Sequence, residues 1–110
     1  MQEQIDLWLN ALTEKSNADY PIQGREIKYV LDPGRKYIRV VRQETWTDTQ
    51  IKGRVSDSVH AFIEAATGDI YKAAGWKAPA KNGARFNVVN DIAALIQVCD
   101  PYGSYLYKIR

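Results

Sequence analysis

The chain has 110 residues, of which 45% are hydrophobic and 25% are charged, and its formal net charge is +2. These values are typical of globular proteins, so they exclude a fibrous repeat or wholesale disorder and predict a single domain over residues 1–110. No apolar run reaches the roughly 18 residues that span a bilayer, no signal peptide is recognisable at the N-terminus, and a single cysteine can form no internal disulfide. We therefore expect a cytoplasmic protein without a membrane partner.

Charge is distributed unevenly along the sequence. Residues 1–24 carry one basic and four acidic residues, a net of −3. Residues 25–54 carry eight basic and four acidic residues, a net of +4, and residues 69–87 carry four and one, a net of +3. The two basic segments would form one basic face if the fold brought them to the same side of the molecule.

The first predicted element is a helix over residues 3–15. Its apolar stripe follows the i, i+3, i+4, i+7 spacing and consists of Ile5, Trp8, Leu9 and Leu12. Lys15 lies late in this helix, where a cation complements the helix dipole. The run SNADYPIQG, residues 16–24, breaks the pattern and is interpreted as a connection.

A β-hairpin is predicted over residues 25–42. Apolar and polar side chains alternate in both arms, and Asp-Pro-Gly at 32–34 supplies the turn. In the second arm Tyr37 and Arg39 share a face that is either an ordinary exposed strand surface or a binding surface. Residues 43–57 either continue this arm or form a flexible excursion, and the pattern leaves both interpretations open.

A second hairpin is predicted over residues 59–73, with Thr-Gly-Asp at 67–69 as its turn. Gly75, Pro79 and Gly83 then interrupt regular structure, which predicts a loop of about a dozen residues. Loops of that length are uncommon in compact domains and often carry function.

The chain is predicted to end in a helix and a tail. Asn90 is the expected N-cap, and the apolar stripe consists of Ile92, Leu95, Ile96 and Cys99. The tail, residues 101–110, alternates tyrosines with other side chains and could form a last strand. The element order predicts an α+β domain, in which an N-terminal and a C-terminal helix cover an antiparallel sheet of about four or five strands.

The sequence offers little for catalysis or metal binding. With one histidine and one cysteine, it contains no ligand cluster, and we predict neither a metal nor a cofactor. It also lacks a Gly-x-x-x-x-Gly-Lys-Ser/Thr phosphate loop and a Gly-x-Ser-x-Gly motif. His60 could act with Asp57 or Glu64, but in a strand it lies rather far from Glu64 for a hydrogen bond. We predict that the protein is not an enzyme and that His60 bonds a neighbouring carbonyl or hydroxyl group.

A basic and aromatic stretch between residues 71 and 87 is the clearest functional signal. Its cations recur every four or five residues and are interleaved with flat rings. Cations neutralise phosphates and rings stack on bases, so this mixture is typical of surfaces that bind single-stranded nucleic acid or a nucleotide. The alternative is a solvated loop whose rings belong to the core. The predicted partner-binding residues are Tyr71, Lys72, Trp76, Lys77, Lys81, Arg85, Asn87 and Tyr105.

Four short motifs stand in the second half of the chain: TGDIYK at 67–72, GWKAPAK at 75–81, RFN at 85–87 and GSYLY at 103–107. In these motifs the chain resembles a group of short uncharacterised bacteriophage proteins. The resemblance implies a phage or prophage origin and an accessory role in an infected bacterium. It favours a protein that binds nucleic acid or, alternatively, one that binds and inhibits a host or anti-phage defence protein. It carries over no binding or catalytic residue, and the oligomeric state is not predicted.

Overall fold

A computed structural model of the chain describes residues 1–19, 24–46, 55–80 and 83–107. These residues form two α-helices, five β-strands and one short 3₁₀ helix. The elements in chain order are α1 (Gln2–Asp19), β1 (Arg25–Pro33), β2 (Tyr37–Trp46), β3 (Val55–Glu64), β4 (Asp69–Lys72), β5 (Phe86–Asn87), α2 (Ile92–Val98) and the 3₁₀ helix (Ser104–Leu106). Neither α-helix is long and apolar enough for a membrane span within the described part of the chain.

The five strands form one antiparallel sheet in the order β1-β2-β3-β4-β5, so every strand pairs with its neighbour in sequence. Strands β1 and β2 pair from Arg25 opposite Trp46 to Pro33 opposite Ile38, with the Asp-Pro-Gly turn at the end of β1. Short connections favour this arrangement because antiparallel neighbours need only a tight turn. The predicted α+β class with an antiparallel sheet and two helices is confirmed.

The pairing of β2 with β3 contains a β-bulge. Val40 lies opposite Ala61, whereas Val41 lies opposite Val59, so His60 is the additional residue. A bulge re-aims the side chains around it. Here the His60 ring lies on the side of the sheet that faces α1, with its centroid 6.2 Å from that of Trp8.

Both central strands extend further than the predicted hairpins. Strand β2 continues to Trp46 and β3 begins at Val55. The continuation of the second arm is therefore correct for residues 43–46, whereas residues 55–57 belong to the next strand, β3. The rest of that stretch, residues 47–54, lies outside the described residues.

The hydrophobic core lies between one face of the sheet and the two helices. Three residues of the predicted stripe, Ile5, Trp8 and Leu12, are buried, and Leu9 packs at the edge of the core. The sheet and α2 contribute the other main core side chains: Ile27, Val40, Ala61, Ile63, Ile70 and Leu95. Burial of apolar surface contributes roughly 25 cal/mol per Å², so this layer is the main stabilising feature of the fold.

Lys15 joins the two helices. Helix α1 continues to Asp19, so Lys15 does not lie in its last turn, and the predicted complement to its own helix dipole is wrong. Its Nζ instead donates to three carbonyl oxygens at the end of α2, those of Ile96 at 2.6 Å, Gln97 at 3.1 Å and Cys99 at 2.9 Å. A cation at this position satisfies carbonyl groups that a helix end leaves without partners.

Residues 101–107 of the tail form a turn and a 3₁₀ helix instead of the predicted strand. Gly103 adopts a left-handed conformation with φ of 75°, and the 3₁₀ helix follows it. The Asp100 carboxylate accepts hydrogen bonds from the amides of Tyr102 at 2.9 Å and Ser104 at 3.2 Å. These local bonds occupy backbone groups that a strand would have to pair elsewhere. The fifth strand is instead Phe86–Asn87, at the end of the predicted loop.

Asp91 rather than Asn90 is the N-cap of α2. Its side chain does not cap the helix, and one carboxylate oxygen accepts the amide of Asn87 at 2.8 Å. The residues between β5 and α2 therefore form a turn that is held by side chains on both sides.

Candidate functional site

Four side chains form a row across the sheet on the side away from α1. They are direct neighbours in the strand pairing and are Asp32, Arg39, Phe62 and Tyr71. Facing residues on adjacent strands point to the same side, and their sequence neighbours Val40, Ala61 and Ile63 point into the core. We call the side that carries this row the outer face and the side that packs against α1 the inner face.

The loop after β4 is a closed turn that leads towards the outer face. Ala73 forms a bridge with Pro79, and the amide of Ala80 donates to the Lys72 carbonyl at 2.7 Å. The amide of Ala74 donates to the carbonyl of Ala78 at 3.1 Å. These bonds fix residues 73–79 as a compact unit, so part of the predicted long loop is ordered by its own backbone.

Trp76, near the tip of this turn, lies against Arg39 of β2. The guanidinium carbon of Arg39 is 4.8 Å from the centroid of the indole, and its Nε donates to the carbonyl of Trp76 at 2.7 Å. Arg39 also forms an ion pair with Asp32 and lies over the Phe62 ring at 5.8 Å. Trp76 nevertheless remains 45% exposed, so it is neither an anchor in the core nor a freely moving side chain.

A groove of about 230 Å³ adjoins this contact, between the β1–β2 turn and the Trp76 turn. Its charged lining consists of one carboxylate, Asp32, and four cations, Arg35, Lys36, Arg39 and Lys77. Since Asp32 is already paired with Arg39, three cations are left to act on a ligand. The local charge of the groove is therefore strongly positive although the whole chain is nearly neutral.

Two aromatic rings are part of the groove lining. Tyr37 and Phe62 both line the groove and meet edge to face, with centroids 6.3 Å apart, and Tyr37 makes a similar contact with Tyr71 at 5.9 Å. The Lys36 ammonium lies 5.4 Å from the centroid of Tyr37. Rings bordered by cations suit a ligand that combines flat groups with phosphates, because each part finds a matching surface.

Lys72 and Lys77, both predicted to bind the partner, lie on different faces of the sheet. Lys77 lines the groove, whereas Lys72 lies opposite Ala61 on the inner face, with its Nζ 4.7 Å from the centroid of the Tyr107 ring. Tyr71 is on the outer face, and its hydroxyl donates to Glu64 at 3.2 Å. Lys81 lies outside the described residues. The predicted surface is thus divided between the two faces.

Arg85 and Asn87 serve the fold. Arg85 is only 3% exposed, and its Nε donates to the carbonyl of Leu106 at 2.7 Å. The Asn87 side-chain oxygen accepts the amides of Val89 and Asn90, each at 3.0 Å. Both polar groups are engaged by the backbone next to them, so neither is part of the outer groove.

Tyr105 also points inward. Its hydroxyl lies 2.6 Å from Nε2 of His60, and its ring lies 5.9 Å from that of Phe86. The expected bond between His60 and a neighbouring hydroxyl group is confirmed. Burial lowers the pKa of His60 from 6.5 to about 4, so the imidazole is neutral near pH 7.

The groove also depends on residues that were not among the predicted site residues: Arg35, Lys36, Tyr37, Arg39 and Phe62. The sequence does place Tyr37 and Arg39 on one face of the second arm, and a binding surface is one of the two interpretations of that face. Nothing in the sequence linked either residue to Trp76, because that contact depends on how the loop folds back. Among the described residues, no group of histidine, cysteine, aspartate or glutamate side chains could hold a metal ion.

Comparison with known proteins places the chain in a family. Residues 2–108 match the profile of a protein family that is described as "Family of unknown function (DUF7717)". The match includes the first helix and the first hairpin, which the resemblance in the sequence motifs did not cover. No curated protein and no solved structure matches the chain.

Proposed function

The chain belongs to the DUF7717 family, and we propose that it is a small, non-enzymatic protein that binds single-stranded nucleic acid on its outer face. The observation that carries the proposal is the half-exposed indole of Trp76, held against Arg39 beside a groove with four cations. The bacteriophage resemblance gives the setting: an accessory role in the cytoplasm of an infected bacterium.

Trp76 is suited to stacking on a base. Its indole is held from one side by the Arg39 guanidinium, and a hydrogen bond to its own carbonyl fixes the backbone. A ring that is already held loses little freedom when a ligand binds. Stacking of a base on an aromatic side chain contributes about 1–3 kcal/mol and depends little on the identity of the base.

Arg35, Lys36 and Lys77 are suited to phosphates that follow such a base. They line the groove next to Phe62, and the one carboxylate in the lining is already paired with Arg39. Release of counterions from about three phosphates predicts a slope of roughly −2 for the logarithm of affinity against the logarithm of salt concentration on single strands. A groove of about 230 Å³ is too small to enclose a whole ligand, so it would hold only part of a nucleic-acid strand.

A titration by fluorescence anisotropy tests the proposal, with a labelled oligothymidine strand and its duplex at 50 and 200 mM salt. We expect the single strand to bind more tightly and its affinity to fall by about 20-fold between the two salt concentrations. Trp76→Ala should weaken binding by about 5- to 150-fold, whereas Trp76→Phe should retain most of it. The proposal is wrong if neither oligonucleotide binds or if Trp76→Ala binds as tightly as the native protein.

The matched control is a second lysine. Lys77→Ala should weaken binding and reduce the salt slope by roughly 0.7. Lys28→Ala changes the charge equally but affects an exposed residue of β1, four positions before Asp32 and thus roughly 13 Å along the strand. If the two variants lose the same affinity, the groove is not the binding site and only net charge matters.

Inhibition of a host or anti-phage defence protein is the second candidate function. Tyr102 and Tyr107 favour it, because they are 72% and 65% exposed and tyrosine is enriched at protein interfaces. A pull-down from bacterial lysate would support it if one partner is recovered and is lost on Tyr102→Ala or Tyr107→Ala. Recovery of nothing above background would count against it.

A further inference from the structure

The inner face contains a second cavity, with a volume of about 320 Å³, that the outer groove does not reach. It lies between β2, β3 and β4 on one side and residues 101–107 on the other. Its volume is at the lower end of the range for small-molecule sites. From its lining we propose that this cavity binds a small organic phosphate, of the size of a nucleoside monophosphate.

Two cations border the cavity. Arg42 and Lys72 both belong to its lining, and none of the described lining residues is a carboxylate. Arg42 lies opposite Ser58, which adds a hydroxyl donor on the same face. Arginine, lysine and hydroxyl groups all donate hydrogen bonds to phosphate oxygens.

Arg42 interacts with the Tyr29 hydroxyl and with Glu44, but one of its polar atoms has no partner in the protein. Its Nε is buried without a hydrogen-bond partner, and its ion pair with Glu44 is loose at 3.6 Å. Glu44 also accepts the indole N–H of Trp46 at 2.7 Å, so that carboxylate is shared. A buried donor without a partner destabilises the fold, and a bound anion that pairs with the guanidinium would offset part of that destabilisation.

Hydrogen bonds to other parts of the fold hold residues 101–107, which form one wall of the cavity, in place. Arg85 bonds the carbonyl of Leu106, and the Tyr105 hydroxyl bonds His60. Asp100, the carboxylate that acts electrostatically on His60, is engaged by the amides of Tyr102 and Ser104 and does not line the cavity. The cavity is therefore preformed, and Glu44, the carboxylate that pairs with Arg42, is not part of its lining.

The wall also provides a place for the organic part of the ligand. Tyr107 lies within reach of the Lys72 ammonium, at 4.7 Å, and contributes an aromatic ring next to a cation. Gly103 lines the cavity in a left-handed conformation, and a Cβ there would lie 3.8 Å from Cε1 of His60. A ring beside a cation favours a phosphate that carries a flat group over inorganic phosphate alone.

Two-dimensional NMR titrations of the full chain test the proposal, with adenosine 5′-monophosphate, adenosine and benzoate as separate probes. We expect the monophosphate to shift the amide signals of Ser58 and Gly103 and to bind at least tenfold more tightly than adenosine or benzoate. Equal binding of adenosine or benzoate would overturn the proposal. So would monophosphate shifts confined to Trp76 and Lys77, because they would place the ligand in the outer groove.

Substitutions separate the two sites. Arg42→Met and Lys72→Met should each weaken monophosphate binding at least tenfold, and Lys72→Met gives the answer if Arg42→Met fails to fold. Both variants should retain the Trp76-dependent binding of oligothymidine. Trp76→Ala should have the reverse effect, and Lys28→Met should change neither. If both cation variants bind the monophosphate like the native protein, the cavity is not a phosphate site, whatever the oligonucleotide result.

Discussion

The guanidinium of Arg39 stacks on the indole of Trp76, 37 residues later in the sequence, and also donates to the carbonyl of that tryptophan. Arg39 belongs to the first basic segment and Trp76 to the second. One residue pair thus joins a strand of the first hairpin to the loop after the second. The outer groove adjoins this contact, since its lining includes the β1–β2 turn, Arg39 and Lys77.

Replacement of Arg39 by alanine should release Trp76. A cation over an indole contributes about 0.5–1 kcal/mol at an exposed site, so we expect oligothymidine affinity to fall by about 2- to 5-fold beyond the loss of one charge. Acrylamide should also quench Trp76 more strongly. Because Trp8 and Trp46 fluoresce too, the quenching of Trp76 is obtained by subtracting the signal of a matched Trp76→Phe variant. The subtraction is made for both the native and the Arg39→Ala protein. Arg39→Lys is the control that keeps the charge but loses the planar contact, and an Arg39→Ala protein with native quenching would contradict this prediction.

Replacement of Lys15 by methionine should destabilise the fold by about 1–3 kcal/mol. The change removes the donor for three carbonyl oxygens at the end of α2 and the favourable charge at that helix end. Urea denaturation measures the effect. Lys28→Met, at an exposed position of β1, should change stability by no more than about 0.5 kcal/mol. Equal effects of the two substitutions would show that the link between the helices contributes nothing.

Asn87→Ala should destabilise the protein by about 1–2 kcal/mol and leave ligand binding unchanged. Its side chain accepts two backbone amides after β5 and donates to the Thr67 carbonyl at 2.9 Å. Side-chain bonds of the same kind to backbone amides contribute about 1 kcal/mol at helix N-caps. Thermal unfolding and the oligothymidine titration, measured on the same preparation, check both parts. If Asn87→Ala binds oligothymidine more weakly but unfolds at the native temperature, Asn87 belongs to the binding surface after all.

Stability should fall in acid because of His60. In the folded protein its pKa is lowered to about 4, chiefly by burial and also by the charge of Arg42, whereas Asp100 acts in the opposite direction. The unfolded chain, with a histidine pKa near 6.5, binds more protons between these values, so stability is full above about pH 6.5 and decreases as the pH falls to about 4. The total loss should be about 3 kcal/mol.

Urea denaturation at pH 7 and pH 4.5 checks this prediction when the native protein is compared with His60→Gln. Carboxylates that do not interact with His60 contribute equally to both proteins, so the change in their difference isolates the histidine together with its interaction with Asp100. Glutamine retains a polar group that can meet the Tyr105 hydroxyl. Parallel losses of stability in the two proteins would mean that His60 is not responsible.

Several elements follow from local patterns alone. The spacing of Ile5, Trp8 and Leu12 identified α1, and the alternation around Asp-Pro-Gly identified the first hairpin, because side-chain spacing reports which side of an element is buried. The same reasoning failed for the tail. Alternating tyrosines suggested a strand, but Asp100 and the left-handed Gly103 form a local turn that leads into a 3₁₀ helix.

Arg85 shows a second kind of failure. In the sequence it belongs to a regular series of cations, and most cations are solvated. In the structure it is buried, because its partner is the carbonyl of Leu106, 21 residues later. No local pattern predicts a hydrogen bond between two segments that are distant in sequence.

The sequence by itself determined the fold class and the presence of two basic segments, because composition and periodicity are local properties of the chain. Only the tertiary structure decided which cations share a surface. Lys72 and Lys77 are five residues apart, yet strand pairing places Lys72 on the inner face and the closed turn brings Lys77 to the outer groove. The face that a side chain occupies depends on strand register and on how a loop folds back, and both are set by contacts between distant segments.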